Sequence, residues 1–305
     1  MRITEQTRGA LLLQGLDQTM STLNTLNQQL ATGMKVNQPS DDPVATAAIM
    51  RTNTYIADLN ENVSVINAAQ SVSEAASAAM DNSASVLSDV QTAATAGANG
   101  TNSAAQLQAL GTQVNQDLES LVQDANTQFE GGYVFSGTKT STAPIAVTRD
   151  AQGDIQNITY EGSNTQVTYP VSQNRSATAS VTAQAAYMNV LTAVKQLRDD
   201  LNNTQGLSSQ AQQTALSNDL GAITNAQSSF TTQTAEVGSY QSLLTSLSTQ
   251  MQTSLTNAQA TLSGYQDVNT AQISVELQSA QTAYQALVSS GASQMQQPDL
   301  FSYLT

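Results

Sequence analysis

Apolar residues near the start of the chain recur at alternating steps of three and four. Leu13, Leu16, Met20, Leu23, Leu30 and Met34 fall on one line, interrupted once by the polar Asn27, and Leu26 widens the stripe. Such a heptad seam predicts an amphipathic helix that needs a partner for its apolar face. Gly33 weakens the helix near its end. The segment Asn37 to Pro43 then starts a second helix, with Ser40, Asp41 or Asp42 able to cap it and Pro43 tolerated in its first turn. Leu59, Val63, Ile66, Ala69, Val72, Ala76, Met80, Leu87 and Val90 carry the pattern on to a break at Ala96 to Thr101. Leu107, Leu110, Val114, Leu118, Leu121, Ala125 and Phe129 mark a further helix that stops before Gly131-Gly132.

The helical period is lost between Gly132 and about Val181. Val167, Tyr169 and Val171 alternate with polar residues or Pro170, which predicts a half-buried strand. Ile155, Ile158 and Tyr160 are read as its partner strand, with Glu161 to Asn164 as the turn between them. Helical spacing returns with Met188, Leu191, Val194, Leu197 and Leu201. Ser209 and Gln212 suit a capping box for the next helix. A near-heptad seam runs from Val237 to Leu262. After a break at Gly264 to Thr270, a last stripe follows: Ile273, Leu277, Ala280, Tyr284 and Leu287. The expected fold is therefore mainly α: a long antiparallel helical coiled-coil rod with a small β-rich inserted domain. The divisions expected are a terminal helix over 1–42 pairing with 268–305, rod segments over 43–135 and 183–267, and the insertion over 136–182.

Composition narrows the chemistry. The 305 residues carry a net charge of -14, with no His, no Cys and no Trp. A Ser-His-Asp triad, a Cys nucleophile, a His-ligated zinc and a disulfide are all excluded. The strong acidic balance argues against nucleic acid and against an anionic membrane surface. Residues 52–138 and 199–305 contain no Lys or Arg at all, so these stretches are acidic, whereas residues 1–51 are neutral overall and the remaining basic residues lie around the insertion. Asp41 and Asp42 are better read as helix caps than as metal ligands. Asp199-Asp200, one turn after Lys195 and Arg198, reads as a solvated face. A paired-carboxylate glycosidase is the enzyme class left open. It needs two carboxyl groups ~5–10 Å apart in a cleft, and aromatics for stacking are sparse. The reading is accordingly no catalytic, cofactor-binding or metal residues, and no cofactor. No early apolar run is long enough for a signal-peptide core of ~7–15 residues. Export would use a route without a cleaved signal.

Four stretches resemble the flagellar hook-filament junction proteins, the flagellin-like hook-associated protein three family. They are Met1 to Thr4, the segment Thr32 to Asn37 with Pro39 to Pro43, the segment Gly131 to Thr140, and Asp299 to Leu304. The resemblance implies a flagellin-type rod whose two termini form the innermost layer and whose insertion lies outermost. It implies a structural adapter that joins hook to filament as a homo-oligomeric ring. Its neighbours would be another hook-associated protein on the hook side and flagellin on the filament side. An export chaperone would be held by the C-terminal helix, and secretion to the extracellular flagellum would follow the flagellar type III route. On this reading Leu13, Leu16, Met20, Leu23 and Leu30 are a self-assembly seam. Ile273, Leu277, Ala280, Tyr284 and Leu287 serve both self-assembly and the chaperone. The alternative within the same class is a flagellin filament subunit. Flagellin's helix recognised by innate immune receptors through arginines aligns with Leu87 to Thr101, where this chain has Asp89 and Gln91.

Overall fold

The structure is a computed structural model that describes residues 5–172 and 174–295. The resemblance stretches at Met1 to Thr4 and Asp299 to Leu304 lie outside the described residues. The helices are α1 (Glu5–Thr32), α2 (Pro43–Gly97), α3 (Ala104–Ala125), α4 (Ala183–Ala186), α5 (Met188–Leu201), α6 (Ser209–Gln266) and α7 (Thr270–Met295). Three short hairpins lie between α3 and α4. They are β1 (Gln128–Phe129) with β2 (Gly132–Tyr133), β3 (Ile145–Arg149) with β4 (Ile155–Tyr160), and β5 (Thr168–Ser172) with β6 (Arg175–Thr178), all antiparallel. The chain divides into two compact units, residues 1–59 with 254–305 and residues 60–253, and the divisions fall inside α2 and α6.

In the first unit α1 packs along α7. Gly33, at a left-handed φ of 71°, ends α1. The segment after it pairs with the segment after α6. Lys35 N donates to the Gln266 carbonyl at 2.7 Å and Val268 N to the Gly33 carbonyl at 3.1 Å. The choice among three candidate caps is settled by geometry. Asp42 Oδ1 accepts from the backbone N–H of Val44 at 3.0 Å and Ala45 at 2.9 Å, so Asp42 caps α2 and Pro43 takes the first helical position. Asp41 instead ties the preceding turn, accepting from the N–H groups of Asn37 and Gln38. Ser40 is exposed in that turn. Asp42→Ala should cost about 1 kcal/mol, read as a lower midpoint in chemical denaturation of the first unit.

In the second unit the apolar faces of α2, α3, α5 and α6 close on one core. At its centre Tyr187 is fully buried, edge-on to Phe135 (centroids 5.2 Å apart) and to Phe230 (5.4 Å). Its hydroxyl meets Ser83 Oγ at 3.1 Å, and Ser83 Oγ donates to Asp124 Oδ2 at 2.9 Å. Burial pushes the Tyr187 phenol up, and burial raises Asp124 against the lowering effect of the Ser83 hydrogen bond. A second cluster joins Ile66, Ala69, Leu244 and Leu247 to Val171 of β5.

Three details correct the sequence reading. First, Ile155–Tyr160 pairs with Ile145–Arg149 and not with the strand at 168–172. The turn that decides this is Asp150 to Asp154. The Asp150 carboxylate accepts from the N–H of Gln152 and Asp154, and Gly153 sits at φ 94°. Glu161 to Asn164 is not a hairpin turn but a loop laid against Ser136 to Thr138. Ser163 N donates to the Ser136 carbonyl at 2.8 Å, and a Cβ on Gly137 would stand 2.1 Å from the Ser163 carbonyl oxygen. Second, Ser208, not Ser209, lies at the cap of α6, accepting from Ala211 N, while the Gln212 side chain donates to the Asp200 and Leu201 carbonyls. Third, Asp199-Asp200 is not a solvated face: Asp200 is only 3% exposed. Both flanks of α5 are covered. Arg198 reaches the Asn115 side chain on α3 at 3.0 Å and the Ile155 carbonyl on β4 at 2.7 Å, and it joins Lys195 in holding Asp199.

Candidate assembly surface

The paired terminal helices divide their apolar residues between two faces. The inner face of α1 is built by Leu12, Gly15, Leu16, Thr19, Leu23 and Leu26, of which Leu26 is the most buried at 7% exposure. Two glycines bring the helices close. A Cβ on Gly291 would stand 2.6 Å from Leu12 Cδ2, and one on Gly15 would touch the Leu287 methyls at 3.7 and 3.8 Å. On α7 the facing positions are Ile273, which is buried, and Leu277, Ala280, Tyr284 and Leu287, which are half-buried. All five residues of the C-terminal stripe therefore lie on the side turned towards α1.

The N-terminal stripe is split. Leu16 and Leu23 are half-buried with the inner face. Leu13 is 64% exposed, and Met20 and Leu30 are exposed as well. Leu11 extends this open face on α1, Met34 is exposed just after the helix, and Val275 and Val288 are open on α7. Leu11, Val275 and Val288 were missed by the heptad line. Their signal is weak because they stand off the regular step, Leu11 and Val275 by two positions and Val288 by one. A single chain thus presents a broken row of large apolar side chains to solvent. Each would contribute roughly 1.5–3 kcal/mol if fully buried.

A cavity of about 260 Å³ lies among Phe129, Tyr133, Val167, Tyr169 and Val181, but its lining carries one carboxyl group, Glu130, where a paired-carboxylate mechanism needs two. Among the described residues no group of three or more His, Cys, Asp or Glu could hold a metal ion, and no helix is long and apolar enough to cross a membrane. The stretch Gly131 to Thr140 is explained by packing. Glu130 and Gly131, both at positive φ, make the turn between β1 and β2, and Phe135 and Ser136 are fully buried.

Residues 4–140 match the family model of the bacterial flagellin N-terminal helical region. Solved structures extend the likeness beyond it. A flagellar hook-associated protein from Vibrio parahaemolyticus superposes with a TM-score of 0.65 at 19% identity, covering 74% of this chain and 100% of that one. The fold is that of the flagellin-like hook-associated proteins. Bacillus cereus FlgL gives a TM-score of 0.56 at 20% identity, covering 70% of this chain and 97% of its own. The flagellar junction protein FlgL from Legionella pneumophila gives 0.59 at 15%, covering 72% and 100%. No curated protein matches by sequence. In this hook-associated fold, the match to the flagellin N-terminal region spans α1, α2, α3 and the β1–β2 hairpin. The break capped by Asp42 lies within it.

Proposed function

We propose that this chain is a structural adapter of the bacterial flagellum that joins hook to filament. It would polymerise through its terminal helices and catalyse no reaction. The observation that carries the proposal is the α1–α7 pair, which leaves Leu13, Met20 and Leu30 open to solvent on a strongly acidic chain. Short-range apolar burial favours docking once subunits align, and like-charge repulsion slows unproductive encounters until salt screens it over about 10 Å at 0.1 M. The similarity to hook-associated and junction structures supports the adapter over a filament subunit.

The partners proposed are further copies of the chain in a ring, a hook-associated protein on the hook side and flagellin on the filament side. Before assembly, the stripe from Ile273 to Leu287 would lie in the groove of an export chaperone, and the chain would leave the cell through the flagellar type III route. Deletion of the gene tests the reading. Cells should keep their hooks, lose their filaments and release flagellin into the medium. Filaments of normal length and number on the deletion strain would refute it.

A further inference from the structure

We propose that Asp200 and Asp219 form a proton-binding site in the second unit, the two carboxyl groups sharing one proton when the protein is folded. Asp200, on the last turn of α5, is 3% exposed, and Asp219, on α6, is 6% exposed. The two carboxyls lie within side-chain hydrogen-bonding reach of each other. Asp200 Oδ2 accepts from the Gln196 amide at 2.9 Å, whereas Asp219 Oδ2 is buried without a hydrogen-bond donor. The Gln212 amide beside Asp200 is turned to the Asp200 and Leu201 carbonyls. Next to the pair in sequence, Leu201 of α5 and Leu216 of α6 both approach Gly97 of α2.

No positive charge relieves the pair. The cations of α5 are Lys195 and Arg198, and both are engaged by Asp199. Within the second unit α2, α3 and α6 carry no Lys or Arg. What α2 and α3 bring to the second unit is Glu61, Glu74, Asp81, Asp89, Asp117, Glu119 and Asp124, all acids, of which Glu119 is engaged by Arg149. Two buried carboxylates in contact without a cation cannot both ionise cheaply, and a shared proton removes one charge while supplying the missing donor. Burial first, and then the Asp200 charge, hold the Asp219 carboxyl above its ordinary value. Asp117 repeats the pattern on a smaller scale. Its Oδ2 is also buried without a partner, and burial with the nearby Asp89 charge pushes it up to about 6.

The sign follows from linkage. A carboxyl whose folded pKa lies above its unfolded value binds more protons in the folded state. Stability is therefore greatest on the acid side and falls as pH rises from the unfolded value, about 4, through the folded one. The test is thermal unfolding of the full chain at pH 5 and pH 8 in chelator, with Asp219→Asn, Asp200→Asn and the double variant beside the wild type. The wild-type midpoint should be lower at pH 8 by about 5 °C or more. Each single variant should raise the pH 8 midpoint, leave the pH 5 midpoint nearly unchanged, and gain little from the second substitution. Asp117 and general repulsion would keep a residual slope in every variant. Lower midpoints at both pH values for both single variants would overturn the proposal, because the carboxylates would then be needed as charged acceptors. So would a midpoint raised by millimolar Ca²⁺ in the wild type but not in Asp219→Asn, which would make the pair a cation site.

Discussion

Leu13→Asp should abolish incorporation at the hook tip while leaving the isolated chain folded. Leu13 is on the open face of α1, so a charge there is solvated in the monomer and costs the fold little. In the assembled state the same charge would sit in an apolar contact with no cation to meet it, since the nearest described cation in sequence, Arg8, is over a helical turn away on an otherwise acidic chain. Leu26→Asp is the contrasting change. Leu26 is buried inside the pair, so its replacement should separate α1 from α7 in the monomer and expose their amides to hydrogen exchange. Both variants would fail to restore filaments to a deletion strain, but only Leu26→Asp would change the monomer. Full motility with Leu13→Asp would remove the open face from the account.

Tyr187→Ala should be the most damaging single change in the second unit. The ring is fully buried between Phe135 and Phe230, so truncation leaves a cavity and removes two edge-to-face contacts. It also takes a partner from Ser83. The expected loss is about 3–5 kcal/mol, or roughly 6–20 °C in the melting midpoint of a unit this size. Tyr187→Phe keeps the ring and loses only the hydroxyl. Ser83 still donates to Asp124, so the cost should be about 1 kcal/mol. Equal effects from the two variants would show that the hydrogen bond, rather than the packed ring, holds the centre of the core.

The long helices were legible because period-3.6 burial dominates a chain with few large residues. Leu87, Leu118, Val194 and Leu197 are all fully buried. The terminal stripe was legible in position but not in orientation. A heptad line and a 3.6-residue helix drift apart by about 20° per heptad. The most buried residue proved to be Leu26, while Leu13 and Met20 on the line face solvent. Sequence alone could not show that Gly15 and Gly291 would draw the helices together at Leu287 and Leu12. Strand pairing failed at Ile155 to Tyr160 because the reading sought its partner downstream, where Val167, Tyr169 and Val171 alternate most clearly. The Asp150 to Gly153 turn upstream carried the real signal. Asp200 was misread for a different reason. A charged residue at a helix end is usually solvated, and only tertiary contact with α6, through Gln212 and Asp219, shows that this one is buried.

The claim that the chain is an adapter rather than a filament subunit is tested most directly by locating it on intact flagella. Immunogold labelling of a tag inserted at the exposed Asn99-Gly100 turn, viewed by electron microscopy, gives the position. The account predicts label confined to one narrow band where hook meets filament. Label running along the filament would contradict it.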